Sequence, residues 1–583
     1  MMRIKVFLLL IVAYFPLVEV YAQFTTDEYN KALWMTTRMY GGQRSGIGPN
    51  WLIMDHNVSN NGETRNGVDF INDNYQGYDL SGGWHDCGDH VKFGQTQYYS
   101  AYVLLLGYEA FPTGYDDLYS YNYQGYHAAQ DFTWEGGAGE PNGIPDILDE
   151  VKYATDYFIK CARDENTFYS QVGNGVYDHR QWVTSPFMAT LGVEDGGEPR
   201  PALENPDDAS MASFCGATLA LMSRMYRKFD EDYADLCLQH AEFAYAYASN
   251  NQAANGGTIT GNFYQSDNDW RDNYVCLTAE LYYATGDESY RNEALSYAND
   301  IGVNYWVLDY ENSQDLALYQ LMKLGNNGAE NRLNTTHNSY RNAVNNEGLM
   351  DVGGNWGKLR YAASAAYSIA LYEAYEEANT VDNDVRGTVD YILGENSANQ
   401  SFVVGFGSNS PQEPHHRNVF LNDNNDMSTL SLPQRNAQHG FMVGGTSNPG
   451  NYQDDVDYYQ HTEGCIDYQS GLVGALAFIR SIEDPVDTSK FNPITSVKEL
   501  TEQKDYSVYP NPATEEVFIA FDQLQMLEGQ IKAYDMQGNT HNITLTGNGN
   551  VFSADIGHLE KGTYVIQLTN KQGQLINFKV HKQ

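Results

Sequence analysis

Two acid-rich stretches stand far apart in the chain. The first, GGWHDCGDHVKFG over residues 82–94, places Asp86 and Asp89 three residues apart among His85, His90, Trp84 and Phe93. A core segment would not hold so many ionisable groups, because an unpaired buried carboxylate is costly. A plain surface loop would gain little from Trp and Phe. The mixture predicts a cleft. The glycines at 82, 83, 88 and 94 equally suit an Asx turn whose carboxylates serve only the backbone, and the stretch alone leaves both readings open. The second stretch runs through Asp454, Asp455, Asp457 and Tyr458 to HTEGCIDY, which carries Glu463 and Asp467. Two acids kept apart can divide general acid–base work, one ionised and one protonated, if their surroundings separate their pKa values.

To bring Glu463 to Asp89, the scaffold must join the first and last thirds of the chain. Helical patterns are expected at 25–40 and 98–111, from 146 onward, and at 209–228, 231–249, 273–285 and 289–305. Others are expected at 315–324, 357–378, 383–393 and 470–480. Asp146 is expected as an N-cap with Asp149 at N3. Long polar connections separate these helices, including 171–182, much of 323–357, and 403–457 with Pro411 and Pro414. Paired helices around a ring suit such connections better than a four-helix bundle, which prefers short ones. Loops on a rigid scaffold are the usual seat of binding chemistry. The expected fold class is all-α.

The period changes after a polar connection over 482–505. From Tyr506, apolar runs at 517–521, 530–534, 563–568 and 575–580 read as strands of a small β-sandwich-like domain.

The 583 residues carry 34 Lys and Arg against 76 Asp and Glu, a formal charge of -42, which argues against nucleic acid or an anionic surface as partner. A neutral substrate suits this balance. Tyr, present 46 times, offers both a flat face and a hydroxyl, as sugars require, although most of these residues simply fill core and surface. Arg3 and Lys5, the apolar run 6–15 and Val20-Tyr21-Ala22 compose a targeting signal over 1–22, too short for a membrane span. Cysteines stand at 87, 161, 215, 237, 276 and 465. Those at 215, 237 and 276 fall in helical patterns, as small buried residues do. Cys87 and Cys465 each neighbour a candidate acid, and spacing does not say whether any pair is bonded.

Several segments in order resemble the family 9 glycoside hydrolases, over about residues 25–480. GGWHDCGDHVKFG is similar to that family's DAGD region, with Cys87 in place of Ala. NGIPDILDEVKYATDYFIK from Asn142, QVGNGVYDH from Gln171, WGKLRYAASAA from Trp356 and the segment from Tyr391 ending in HHR resemble further family patterns. The resemblance implies an (α/α)6 barrel over 23–481, with a groove for a β-1,4-glucan and inversion at the anomeric carbon. It implies Asp89 as general base, Asp86 as the carboxylate that helps hold water, and Glu463 as general acid. Inversion needs the two carboxyl functions roughly 6.5–9.5 Å apart. His415 and Arg417 would bind sugar hydroxyls, Tyr458 would orient sugar or acid, and His179, Trp182 and Trp356 are further subsite candidates. Endo action leads; an exo-acting or cellodextrin-trimming hydrolase is the alternative, and a non-catalytic glycan-binding protein the alternative of another class.

The reaction implies no cofactor. Relatives carry calcium beside a loop that resembles residues 266–273 here, where Asp269 and Asp272 would be the contributors to a structural Ca2+. The tail, with YPNPATEEVFI, AYDMQGN and KGTYVIQL, resembles the C-terminal sorting domain read by the type IX secretion machinery. That implies a secreted or surface-attached protein. A carbohydrate-binding module is the rival, but no Trp follows Tyr506.

Overall fold

The computed structural model describes residues 24–46, 70, 72–118, 141–259, 263–264, 269–419 and 439–491, and, in the tail, 506–509, 513–521, 531–535, 540–548, 551–559, 561–569 and 575–582. The expected targeting segment 1–22 and positions 492–505 of the expected connection lie outside the described residues. Two compact units divide at Pro493 and Ile494.

Among the described residues, twelve helices of nine residues or more build the first unit: α1 (Thr26–Gly42), α2 (Gly94–Ala110), α3 (Asp146–Cys161), α4 (Ala209–Tyr226), α5 (Glu231–Asn250), α6 (Arg271–Thr285), α7 (Glu288–Ser296), α8 (Gln314–Lys323), α9 (Asn327–Arg341), α10 (Lys358–Tyr375), α11 (Asn383–Leu393) and α12 (Ile466–Glu483). The even-numbered helices pack in a closed ring: α2 on α4, then α6, α8, α10 and α12, which returns to α2. The odd-numbered helices lie against the ring from outside, as α5 does on α4 and α6. This is an (α/α)6 barrel.

Side-chain distribution explains the two layers. Gly94 to Tyr108 of α2 and Ile466 to Arg480 of α12 are buried without a break. A helix enclosed on all sides has no polar face to keep. In α5 only Ala234, Cys237, Ala241, Ala244, Tyr247 and Ala248 are buried, at spacings of three and four that form one stripe.

The local expectations need three corrections. Pro145, not Asp146, is the N-cap of α3, and no side chain caps it. Asp146 instead accepts from the amide of Leu118 at 2.9 Å, and Asp149 from the Asn142 amide group at 2.7 Å. The polar stretch 323–357 contains α9, which buries Ala329, Leu333, Thr336, His337 and Tyr340. The helix expected over 289–305 stops at Ser296.

A small sheet stands beside the ring. Strand β1 (Lys92–Phe93), β2 (Ala162–Asp164) and β4 (Ala202–Glu204) all pair with β3 (Thr167–Val172), with Lys92 opposite Val172 and Phe93 opposite Gln171.

The second unit contains β5 (Tyr506–Tyr509), β6 (Glu516–Phe521), β7 (Lys532–Asp535), β8 (Thr540–Asn542), β9 (Thr544–Asn548), β10 (Val551–Asp555), β11 (Gly562–Thr569) and β12 (Leu575–Lys582). They form two antiparallel sheets, β8-β7-β11-β12 and β9-β10-β6-β5. Val517, Ile519, Phe552, Ile566 and Val580 share its core.

Candidate active site

The loops entering α2, α6, α8, α10 and α12 meet at one cavity of about 1020 Å³. Asp86, Asp89 and Phe93 come from the loop before α2, Tyr264 from before α6, and Tyr310 from before α8. Trp356 comes from before α10 and Glu463 from before α12. The two distant acid clusters therefore line one cavity.

The loop of Asp86 and Asp89 is held from beneath. Trp84 is fully buried and its indole N–H donates to Glu150 Oε1 at 3.1 Å. Arg44, also buried, pairs with the same carboxylate at 2.5 Å. The amide of Asp86 donates to Val91 O at 3.1 Å, and the amide of Val91 to Asp89 Oδ1 at 2.8 Å. The second bond is an Asx turn, so both readings of the sequence apply: the turn exists, and it presents its acids to the cavity. Asp86 also accepts from the hydroxyls of Thr96 and Tyr264.

Backbone bonds tie this loop to the other clusters. Ile466 donates to Asp86 O at 3.1 Å, Arg417 to Gly88 O at 3.2 Å, and His415 to Thr462 O at 3.0 Å. Gln43 bridges them further, donating to Cys87 O at 2.8 Å and meeting His416 Nε2 at 2.9 Å. Cys87 and Cys465 form a disulfide. The departure from Ala at position 87 thus has a partner two residues beyond Glu463.

The electrostatics separate the acids. Burial, reinforced by the charge of Asp89, pushes the Glu463 carboxyl up to about 8, against a hydrogen bond from Trp356 and the charge of Arg417. By exposed area Glu463 is only half-buried, since it edges the cavity, yet protein encloses it on the other sides. Burial also raises Asp89, while His179 and Arg417 favour its ionised form. Burial, with Asp89 and Asp467, raises Asp86 well above the carboxylate range. Asp86 is held by the neutral hydroxyls of Thr96 and Tyr264, whereas Asp89 has the guanidinium of Arg417 nearby. Of the two, Asp89 is the one whose surroundings favour the charge.

Arg417 is buried and ion-paired with Asp178, and its Nη1 donates to Asp178 O at 2.9 Å. Burial alone would raise Asp178, but Arg417, His90 and His179 hold it well below the usual range. His415 Nδ1 donates to Val456 O at 2.6 Å and its ring lies edge-on to Trp182 at 4.8 Å. Burial lowers His415 to about 4, so the ring is neutral and Nε2 is its acceptor. His179 stacks on Phe263 at 4.5 Å, and Trp356 lies 5.0 Å from Tyr459. His179, Trp182, Trp356, His415 and Arg417 line the cavity. Tyr458 packs edge-on against His461, and it is the adjacent Tyr459 that lines the cavity. Tyr264, Tyr310 and Arg360 also line it, and the sequence did not single them out. Arg360 falls within WGKLRYAASAA, so that motif was the available signal.

Asp269 and Asp272 are absent from the cavity lining. Asp269 accepts from Arg271 Nε at 2.7 Å, so a guanidinium already serves it. Asp272 is buried, which pushes it up to about 7. Among the described residues, groups of three or more cation ligands occur beside Asp86 and Glu463 and not around Asp272. Calcium takes six to eight oxygens, of which carboxylates are only a part, with carbonyls and water supplying the rest. Positions 265–268 lie outside the described residues.

Comparison with known proteins agrees with this geometry. Endoglucanase A of Fibrobacter succinogenes is 33% identical over 433 residues, covering 69% of this chain and 89% of that protein. Endoglucanase A of Bacillus pumilus is 31% identical, over 69% of this chain and 60% of that protein. The solved endoglucanase of the termite Nasutitermes takasagoensis superposes with a TM-score of 0.63 at 30% identity, covering 78% of this chain and 99% of that one. The cellulase Cel9M of C. cellulolyticum, solved in complex with cellobiose, gives 0.63 at 27% identity, over 77% and 97%. Residues 507–582 match the secretion system C-terminal sorting domain, and residues 29–476 match glycosyl hydrolase family 9. The chain is thus a member of glycosyl hydrolase family 9 with a C-terminal sorting domain for secretion.

Proposed function

We propose that this protein is a secreted, inverting endo-β-1,4-glucanase that cuts internal bonds of cellulose or related neutral β-glucans. The observation that carries the reading is the shared cavity: Asp86 and Asp89 on one loop, Glu463 on another, with aromatic side chains on the walls. The endoglucanase names of its relatives point the same way.

Glu463 keeps its proton near neutrality and gives it to the leaving glycosidic oxygen. Asp89, its charge favoured by Arg417 and His179, takes a proton from water attacking the anomeric carbon from the opposite face. Asp86, fixed by Thr96 and Tyr264, orients that water. Arg417 and the neutral His415 address sugar hydroxyls, Trp356, Trp182 and His179 offer ring faces, and Tyr458 supports the acid loop from behind. A structural Ca2+ would draw on the carboxylates of Asp269 and Asp272, and no step passes through it. The sorting domain sends the chain to the type IX secretion machinery, and so to the cell surface or the medium.

The test is the product profile on carboxymethyl-cellulose, mixed-linkage glucan and cellohexaose. A fast viscosity drop with mixed oligomers supports the reading. Release of one small sugar alone would make the enzyme exo-acting, and binding without hydrolysis would make it a glycan-binding protein.

A further inference from the structure

Cys87 lies between Asp86 and Asp89, and Cys465 lies two residues after Glu463. Their disulfide spans 378 residues of sequence, and both cysteines line the cavity that holds the acids. Cys87 precedes α2 and Cys465 is the N-cap of α12, two helices that touch where the inner ring closes. The bond therefore crosses the seam of the barrel at its reacting end. Hydrogen bonds already hold the seam, such as Ile466 N–H to Asp86 O at 3.1 Å. A hydrogen bond can lengthen or break transiently at little cost. A covalent link removes that freedom, and it does so one residue from one acid and two from the other.

We propose that Cys87 and Cys465 are positioning residues for catalysis: their disulfide fixes the separation of the base loop from Glu463, so that full turnover requires the oxidised protein. This rests on the glucanase reading above. Inversion is sensitive to that separation because water must fit between base and sugar while the acid still reaches the leaving oxygen. Misplacement by about 1 Å can cost about 100-fold in rate. Export to an oxidising compartment suits such a bond. Cys161, Cys215, Cys237 and Cys276 are free thiols, so among the described residues Cys87–Cys465 is the disulfide that a soluble dithiol can reduce. In that exchange a thiolate of the reductant attacks one sulfur, the Cys87–Cys465 bond breaks, and a second attack releases the other thiol. The protein gains two electrons and two protons, and the reductant leaves as a cyclic disulfide.

The experiment compares full-length oxidised protein, the same protein reduced by dithiothreitol under native conditions, and the double variant Cys87→Ala/Cys465→Ala. Mass-resolved thiol alkylation reports the state of the bond. In both the reduced protein and the double variant, kcat on cellohexaose should fall about 10- to 100-fold, with KM held within about twofold. The alkaline limb of the pH–rate profile should move by about half a unit or more. Circular dichroism and a cooperative melt should be retained. Reoxidation should restore the reduced wild type and leave the double variant unchanged. A double variant with wild-type kcat and pH profile would overturn the proposal. So would a fall in kcat matched by equal losses of cellobiose inhibition and of the melting transition, which would mark the bond as a fold staple only. Oxidised wild type that is inert on every β-glucan would overturn the glucanase reading and this proposal with it.

Discussion

Gly88 and His415 meet backbone to backbone: a Cβ on Gly88 would lie 2.3 Å from the carbonyl oxygen of His415. The loop bearing Asp86 and Asp89 is thereby pressed onto the segment bearing His415 and Arg417. Neither side can yield, because Arg417 donates to Gly88 O and His415 donates to Thr462 O. Gly88→Ala should cost about 1–3 kcal/mol of stability and most of kcat. A thermal melt and initial rates on cellohexaose check both, and wild-type rates would show that the contact does not matter.

With Glu463 as the acid in the proposed mechanism, the rate should fall as pH rises through about 8, where its proton is lost. Glu463→Gln should lower kcat by about 100- to 10,000-fold and remove that limb from the residual activity. The stability effect has the opposite sign. The folded-state pKa of Glu463 lies above its ordinary 4.5, so its neutral form is the one the fold favours. Its contribution is fully present below about 4.5 and is lost as pH rises towards 8. Discounted for partial exposure, Glu463→Gln should raise Tm by about 1–3 °C at pH 9 and leave it unchanged at pH 4.

Arg417 serves two carboxylates. Arg417→Ala would leave Asp178 buried without its guanidinium, at a cost of about 3–5 kcal/mol in urea unfolding. The same change removes a positive charge that lowers Asp89. The acidic limb of the pH–rate profile should therefore move to higher pH. An unmoved limb would mean that Asp89 is not the group titrating there.

Trp356 is 51% exposed and lies 5.0 Å from the ring of Tyr459. Trp356→Ala should change stability by no more than about 0.5 kcal/mol and raise KM for cellohexaose several-fold. Its hydrogen bond lowers Glu463, so the alkaline limb should shift upward too. Steady-state kinetics across pH tests both effects together.

Much of the ring was legible because several inner helices carry long runs of apolar and small residues: α2, α4, α10 and α12 announce themselves by composition. The outer layer was harder. The sequence of α9, NGAENRLNTTHNSYR, buries Thr336 and His337 beside its few apolar residues, so its periodicity is hidden by polar side chains. The three acids were visible as types in clusters. Tyr264 was not, because its claim on Asp86 is a contact across 178 residues and nothing local marks it. Pairing of Cys87 with Cys465 was invisible for the same reason. The sandwich-like tail was readable from short apolar runs set between turn residues, as β6 and β11 show.

The closed inner ring has a consequence for how the chain is made. Its last member, α12, contains residues 466–483 and packs on α2, which contains residues 94–110. A chain leaving the ribosome can build its early helix pairs in order, since neighbours in sequence are neighbours in space. It cannot bring Glu463 to Asp89 until almost the whole barrel has been synthesised. Closing that last contact joins segments of very large sequence separation, which is slow relative to local helix formation. Nascent fragments are thus unable to digest glucan, and the final step of barrel folding is also the step that creates the enzyme.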